Sequence, residues 1–143
     1  MSLHGTYDPD NIFAKIIRGE IPAVKVFEDD QVLAFMDVFP QSRGHMLVIS
    51  KTSQARNLLE AEAKTLGRLI GATQKAAAAV TAALKPDGVV ITQFNGAAAG
   101  QTVFHLHFHV IPRYAGEALG RHGEAMADVE DLKALAETIA AVL

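Results

Sequence analysis

His105, His107 and His109 stand at strict two-residue spacing in the stretch Gly100-Gln-Thr-Val-Phe-His-Leu-His-Phe-His-Val-Ile-Pro-Arg113, with Leu106, Phe108 and Val110 between them. Period-two alternation is the pattern of a β-strand with one buried face, so the three imidazoles leave the sheet on one side while the apolar residues pack on the other. Side chains at i and i+2 lie roughly 6.6 Å apart along a strand, which puts His105 about 13 Å from His109. Each outer ring then neighbours the middle one, but the two cannot easily meet on a single ion. One histidine here would read as the polar face of an edge strand; three of the chain's six, alternating with large apolar residues, point to chemistry. Two kinds fit. His-x-His with a third ligand from elsewhere is a workable zinc constellation, and a middle imidazole can attack as a nucleophile while its neighbours orient it or donate protons. Spacing alone favours neither.

The elements that must position this strand can be read in order. Residues 1–9 are polar and read as a loose terminus. Asp10 is placed to cap a short helix over 11–18 with Ile12, Phe13, Ile16 and Ile17 on one face, and Gly19 and Pro22 end it. Extended segments at 24–28 and 31–37 flank Asp29-Asp30, a hairpin turn. His45-Met-Leu-Val-Ile-Ser50 is a third strand, too apolar to be exposed on both sides, and His45 at its entry reads equally as a core histidine or a site residue. Over 61–84, Leu66, Leu69, Ile70, Thr73, Ala77, Val80 and Leu84 mark one face of a helix about six turns long. Within it, Ala76 to Ala79 read as helix propensity rather than close packing. A fourth strand is expected at 89–94, followed by the small-residue loop Asn95-Gly-Ala-Ala-Ala-Gly100. Its glycines let backbone N–H groups approach an anion, and Asn95, Gln101 and Thr102 add donors. Asp128, with Glu130 and Asp131 in the first turn, caps a final amphipathic helix carrying Val129, Leu132, Leu135, Ile139 and Val142.

Composition narrows the class of partner. At 143 residues, half of them hydrophobic, the chain is read as one domain over 1–143 with a real core. A net charge of -3 gives no bulk attraction to nucleic acid polymers or to an anionic membrane, so phosphate recognition must be local and suits small ligands. The absence of cysteine rules out disulfides, thiolate metal sites and cysteine nucleophiles. Nothing near the start resembles the apolar core of a signal peptide, and no run approaches the ~18 apolar residues of a membrane span, so a soluble, cytoplasmic protein is expected.

In His105-Leu-His-Phe-His-Val-Ile111 the chain resembles the defining His-x-His-x-His-x-x pattern, x apolar, of the histidine triad (HIT) family. The stretch 11–113 is similar to the Hint branch of that family through Ile12-Phe-Ala-Lys-Ile-Ile-Arg-Gly-Glu-Ile-Pro22, Phe27-Glu-Asp-Asp30, Leu33-Ala-Phe-Met-Asp-Val38, Pro40-Gln41 and His45-Met-Leu-Val-Ile49. The resemblance implies an α+β fold with a five-stranded antiparallel sheet, one long and two shorter helices, and a homodimer in which two sheets join. It also implies cleavage at the α-phosphate of a purine nucleotide through a covalent nucleotidyl-histidine. The substrate implied is a nucleoside phosphoramidate such as AMP-amine, with dinucleoside polyphosphates such as diadenosine tetraphosphate second.

By position, His107 matches the nucleophile, His109 the residue that contacts the scissile phosphate and helps proton transfer, and His105 with His45 the supporting pair. Asn95, Gly100, Gln101, Thr102 and Val103 match the phosphate side. Asp37 matches the carboxylate that binds ribose hydroxyls, and Ile12, Phe13, Ile16, Phe35 and Val38 match the walls of the base pocket, although ordinary core residues would look the same. No cofactor is implied. Many bacterial relatives form a structural zinc site from Cys-x-x-Cys and a later histidine; Asn11, Ala14 and Ser53 stand near those places here, so no metal is expected. The segment 114–143 does not match the short carboxyl end of animal Hint proteins, an end that helps choose the substrate in this family. A nucleotide-binding scaffold with incidental turnover is the alternative of another class, and the complete triad argues against it because binding alone does not need His107. A zinc hydratase built on His-x-His would require bound metal.

Overall fold

Two adjacent strands, β2 (Val32–Met36) and β3 (Met46–Ser50), are buried along their whole length, and their alternation sorts side chains onto two different cores. Val32, Ala34, Met36, Met46 and Val48 join the larger cluster beneath the helices, whereas Leu33, Phe35, Leu47 and Ile49 join a second cluster on the opposite face with Phe13 and Ile16. A computed structural model describes residues 2–121 and 125–143 of the protein. Met1, and residues 122–124 within the expected C-terminal segment, lie outside the described residues. Among the described residues the sheet has five antiparallel strands in the order β1 (Lys25–Glu28), β2, β3, β5 (His107–Arg113), β4 (Gly88–Thr92). This is the expected α+β architecture, with α1 (Ile12–Ile17) on one face and the long α2 (Ala63–Leu84) and α3 (Val129–Ala140) on the other. None of the described helices is long and apolar enough to cross a membrane.

Strand register places the histidines. Leu47 pairs with His109 and Ile49 with His107, so both imidazoles share the face of the second cluster, while Phe108 and Val110 enter the helical core. The histidine strand is shorter at its start than the spacing predicts: His105 lies in a bend before β5. Its position therefore comes from tertiary hydrogen bonds, not from the strand's alternation.

Local chemistry corrects several boundaries. Asn11, not Asp10, caps α1: its carbonyl oxygen accepts from the amides of Phe13 and Ala14, both at 3.0 Å. The Asp29 carboxylate closes the β1–β2 hairpin by accepting from Gln31 N and Val32 N. Asp128 caps α3 as expected, but Val129 and Val142 are largely exposed and the buried stripe is Leu132, Ala136 and Ile139. A 3-10 turn at Leu58–Glu60, capped by Asn57, precedes α2, and β4 ends at Thr92, two residues earlier than expected. Nor are residues 2–9 loose, because Ser2, Leu3 and Tyr7 are all hydrogen-bonded to the body of the domain.

The buried face of α2 also departs from expectation. Ile70 is half exposed, and the helix meets the core through Leu69, Ala72, Thr73, Ala76, Ala79 and Val80. The alanines are thus close-packing residues: a methyl-sized stripe lets the helix axis approach the strands, which larger side chains would push away. Gly44, at φ +92° just before β3, belongs to the same contact, since a Cβ there would lie 2.7 Å from Leu84 Cδ1. Replacing the fully buried Ala76 with leucine is expected to destabilise the fold by about 1–3 kcal/mol through overpacking, read from the urea unfolding midpoint.

Candidate active site

Four histidines with almost no solvent exposure, His45, His105, His107 and His109, meet on the α1 face of the sheet. A neutral imidazole has one N–H and one lone pair, so a hydrogen bond of known direction at one nitrogen determines the role of the other. The backbone N–H of Gln41 donates to His45 Nδ1 at 3.0 Å, so His45 carries its proton on Nε2. That nitrogen lies 3.0 Å from His109 Nδ1, which must then accept, leaving the His109 proton on Nε2. His107 faces a carbonyl: its Nδ1 is 2.7 Å from His105 O, so Nδ1 is the donor and Nε2 holds the lone pair. The rings of His107 and His109, with centroids 5.0 Å apart, therefore have complementary roles at Nε2, one nucleophilic and one proton-bearing.

His105 supports this arrangement from below. Its Nε2–H donates to Ser50 O at 3.1 Å and its Nδ1 accepts from the Tyr7 hydroxyl at 2.7 Å. Burial away from water pushes its pKa from 6.5 down to about 4; the Ser50 carbonyl opposes that shift and nearby His107 adds to it. It is a neutral ring at physiological pH.

Of the expected nucleoside-side residues, Phe13 stands edge-on to His107 at 5.0 Å and to Phe35 at 5.5 Å, with Ile16 in the same cluster and Val103 packed against it. Ile12 is about half exposed, at the outer side of α1. Val38 does not join them: it packs against the helical core on the other side of the sheet. Its separation follows from β2, where Met36 already points to that core and Phe35 to the site. Asp37 is buried beside the histidines, accepting from Phe39 N at 2.8 Å through Oδ1 and lying 3.5 Å from His45 Nε2 through Oδ2.

The small-residue loop is more internally bonded than its composition suggests. Gln101, expected among the phosphate donors, is buried; its amide nitrogen donates to Arg56 O and Val103 O, and its oxygen accepts from Gly96 N. Both amide hydrogens are used, so Gln101 holds the loop's shape. Asn95 similarly accepts from Leu58 N and Gln93 Nε2, tying the end of β4 to the turn before α2. Gly96 and Gly100 take φ of +89° and +110°, which bracket the turn and favour glycine. Thr102 follows with an exposed side chain.

Sequence reasoning missed Tyr7, the aromatic in a terminus read as loose, and the Gln41 amide. A backbone donor leaves no trace in residue type, whereas a tyrosine within a polar stretch is a usable signal.

Asp37, His45 and His109 offer ligand atoms within 4.8 Å of one another, a geometry that prompts the question of a metal. The donor set does not fit one. To ligate through Nε2, His45 would have to move its proton to Nδ1, where it would oppose the Gln41 N–H. Asn11, at one of the expected cysteine places, has its side-chain oxygen engaged in the α1 cap.

A family model described as HIT domain matches residues 18–116. Protein hit of Bacillus subtilis is 41% identical over 90% of this chain and 91% of its own length. Adenylylsulfatase HINT3 of Arabidopsis thaliana is 38% identical over 82% of this chain and 62% of its own length. Among solved structures, the Hit-like protein of Bartonella henselae matches with a TM-score of 0.92 at 51% identity, covering 97% of this chain and all of that one. The Zn-bound histidine triad family protein of Mycobacterium smegmatis matches with a TM-score of 0.80 at 34% identity, covering 92% of this chain and 94% of that one.

His105 generates a pH prediction. Its folded pKa is depressed, so between about 6.5 and about 4 the unfolded chain binds a proton that the folded chain refuses. Stability present above that window is lost as pH falls through it, by on the order of 3 kcal/mol in full. Urea unfolding at a series of pH values should record the loss, and His105→Asn should flatten the dependence across that window. For the metal question, elemental analysis of the purified protein is expected to find no stoichiometric zinc.

Proposed function

The chain belongs to the HIT family of nucleotide-binding hydrolases and transferases, and from that premise we propose that it cleaves a nucleoside phosphoramidate at the α-phosphate through a nucleotidyl-His107 intermediate. The observation that carries this reading is the opposed pair of nitrogens: a lone pair at His107 Nε2 beside a proton at His109 Nε2.

In the first step His107 Nε2 attacks phosphorus and forms a P–N bond while the bond from phosphorus to the leaving amine breaks. His107 keeps its Nδ1 proton on the His105 carbonyl, so the phosphorylated ring carries a positive charge beside the anionic phosphoryl group. The amine leaves with a proton from His109. For this His109 enters the step carrying a second proton, a departure from its resting tautomer, and the Asp37 carboxylate, 3.5 Å from His45 Nε2, offsets the added positive charge. In the second step water attacks phosphorus, gives one proton to His109 and releases the nucleoside monophosphate, restoring His107. The transferred group needs alignment and charge stabilisation more than covalent help, and no cofactor enters the scheme.

Phe13, Ile16 and Phe35 are assigned to the base, with Ile12 at the rim, and Asp37 to the ribose hydroxyls, for which a carboxylate retains acceptor sites beyond the one used by Phe39 N. Thr102, Gly100 and Val103 line the phosphate side, with Asn95 and Gln101 fixing that loop. Dinucleoside polyphosphates are the second substrate class, since attack at an α-phosphate differs only in its leaving group. The relative named as an adenylylsulfatase supports chemistry at that phosphate.

The reading includes a homodimer. Edge strand β4 and the outer face of α2 expose Ile70, Val90 and Ile91, and Gly67, Gly71 and Ala77 line the apolar groove between them with Ile70 and Ile91. An unpaired edge strand beside an apolar helix face suits a twofold copy that continues the sheet.

Adenosine phosphoramidate and diadenosine tetraphosphate, assayed side by side, decide the substrate class; the first is expected to turn over faster. An alkaline quench during turnover should preserve one nucleotide on the peptide containing His107, which an acid quench destroys. His107→Ala is expected to lower kcat by about a thousandfold or more while nucleotide still binds. Near wild-type turnover in that variant, or inversion at phosphorus by oxygen labelling, rejects the covalent route. Sedimentation at micromolar concentration should give a dimer, and Ile91→Asp a monomer.

A further inference from the structure

The N-terminal segment reaches the site by a route that the catalytic scheme does not use. Tyr7 OH lies 2.7 Å from His105 Nδ1, and the two rings are 5.7 Å apart. Because the other nitrogen of His105 donates to Ser50 O, Nδ1 is an acceptor and the tyrosine hydroxyl is the donor. His105 in turn gives its carbonyl to His107 Nδ1 at 2.7 Å. A line of hydrogen bonds thus runs from Tyr7 through one buried residue to the ring that attacks phosphorus.

The same segment is built into the domain on both sides of that contact. Buried Asn57 donates to Leu3 O at 2.9 Å, buried Arg56 donates to Ser2 O at 3.1 Å, and Ala97 N in the phosphate-side loop donates to Ser2 Oγ at 2.8 Å. Gly5 passes so close to Arg56 that a Cβ would sit 3.1 Å from its guanidinium. Buried polar atoms are costly to leave unanswered, so detaching residues 2–7 would expose that cost at the donors of Asn57 and Arg56 and at the acceptor nitrogen of His105 together.

We infer that residues 2–7 form a strap that spans the phosphate-side loop and the triad, and that Tyr7 is a positioning residue for the nucleophile, acting through His105. This rests on the proposed role of His107. The Ser50 carbonyl fixes the tautomer of His105, and the hydroxyl fixes its tilt and with it the direction of the carbonyl that orients His107. A shift in that carbonyl turns the His107 ring away from in-line attack without removing any group that binds nucleotide.

Tyr7→Phe removes the donor and keeps the ring. In this variant kcat is expected to fall about tenfold with KM changed less than about twofold, a loss of alignment rather than of binding. The NMR spectrum of histidine-labelled protein gives a readout independent of activity: the His107 Nδ1–H signal is expected to shift and exchange faster in the variant, in samples that unfolding curves show to be fully folded. Unchanged His107 ring signals overturn the inference, as does kcat within about twofold of wild type. If the wild type forms no nucleotidyl-His107, the proposed function fails, and the ring spectrum of Tyr7→Phe still decides whether Tyr7 positions His107.

Discussion

One hydrogen bond governs the chemistry available to this site: the 2.7 Å contact from His107 Nδ1 to the carbonyl of His105. A carbonyl can only accept, so it holds the proton on Nδ1 and leaves the lone pair on Nε2. A side chain in the same place, able to rotate or titrate, would not impose this direction. Two residues away His109 is set the opposite way by His45, whose own orientation comes from the Gln41 amide. Backbone groups cannot change protonation state, so the two imidazoles anchored directly on them, His45 and His107, have defined donors and acceptors, and His45 passes that definition to His109.

That arrangement depends on a sheet with unlike faces. β5 lies between β3 and β4, and its apolar side chains are covered by α2, so His107 and His109 are left facing the smaller cluster around Phe13. The alanine stripe of α2 and the bare backbone of Gly44 bring helix and strands close. The same burial makes His105 reluctant to take a proton, so the residue whose carbonyl orients His107 keeps a neutral ring down to acidic pH.

The loop over 95–103 illustrates how a polar side chain can be used wholly to fix the backbone around it. Gln101 bonds to Arg56 O, Val103 O and Gly96 N, joining three separate turns of backbone. Its neighbours Gly100 and Thr102 are exposed where Gln101 is buried. Shape in the loop and contact at its surface are thus divided between adjacent residues.

Much of this could be read before any coordinates. Period-two alternation at Leu106, His107, Phe108, His109 and Val110 determined a strand with one polar and one apolar face, and the spacing of turn residues determined the number and order of the elements. Those are local properties, set by which side of a strand or helix each residue occupies. Tertiary structure alone decided which nitrogen of each histidine carries the proton, that Val38 faces the far core, that Gln101 is used internally, and that the terminus bearing Tyr7 is held in place. Each of these depends on a partner distant in sequence or on a backbone group, and neither is encoded in residue type. His105 marks the division: its place in the motif is a matter of spacing, but its position in the site is imposed by Ser50 from β3 and Tyr7 from the N-terminus, because the strand that would have placed it begins two residues later.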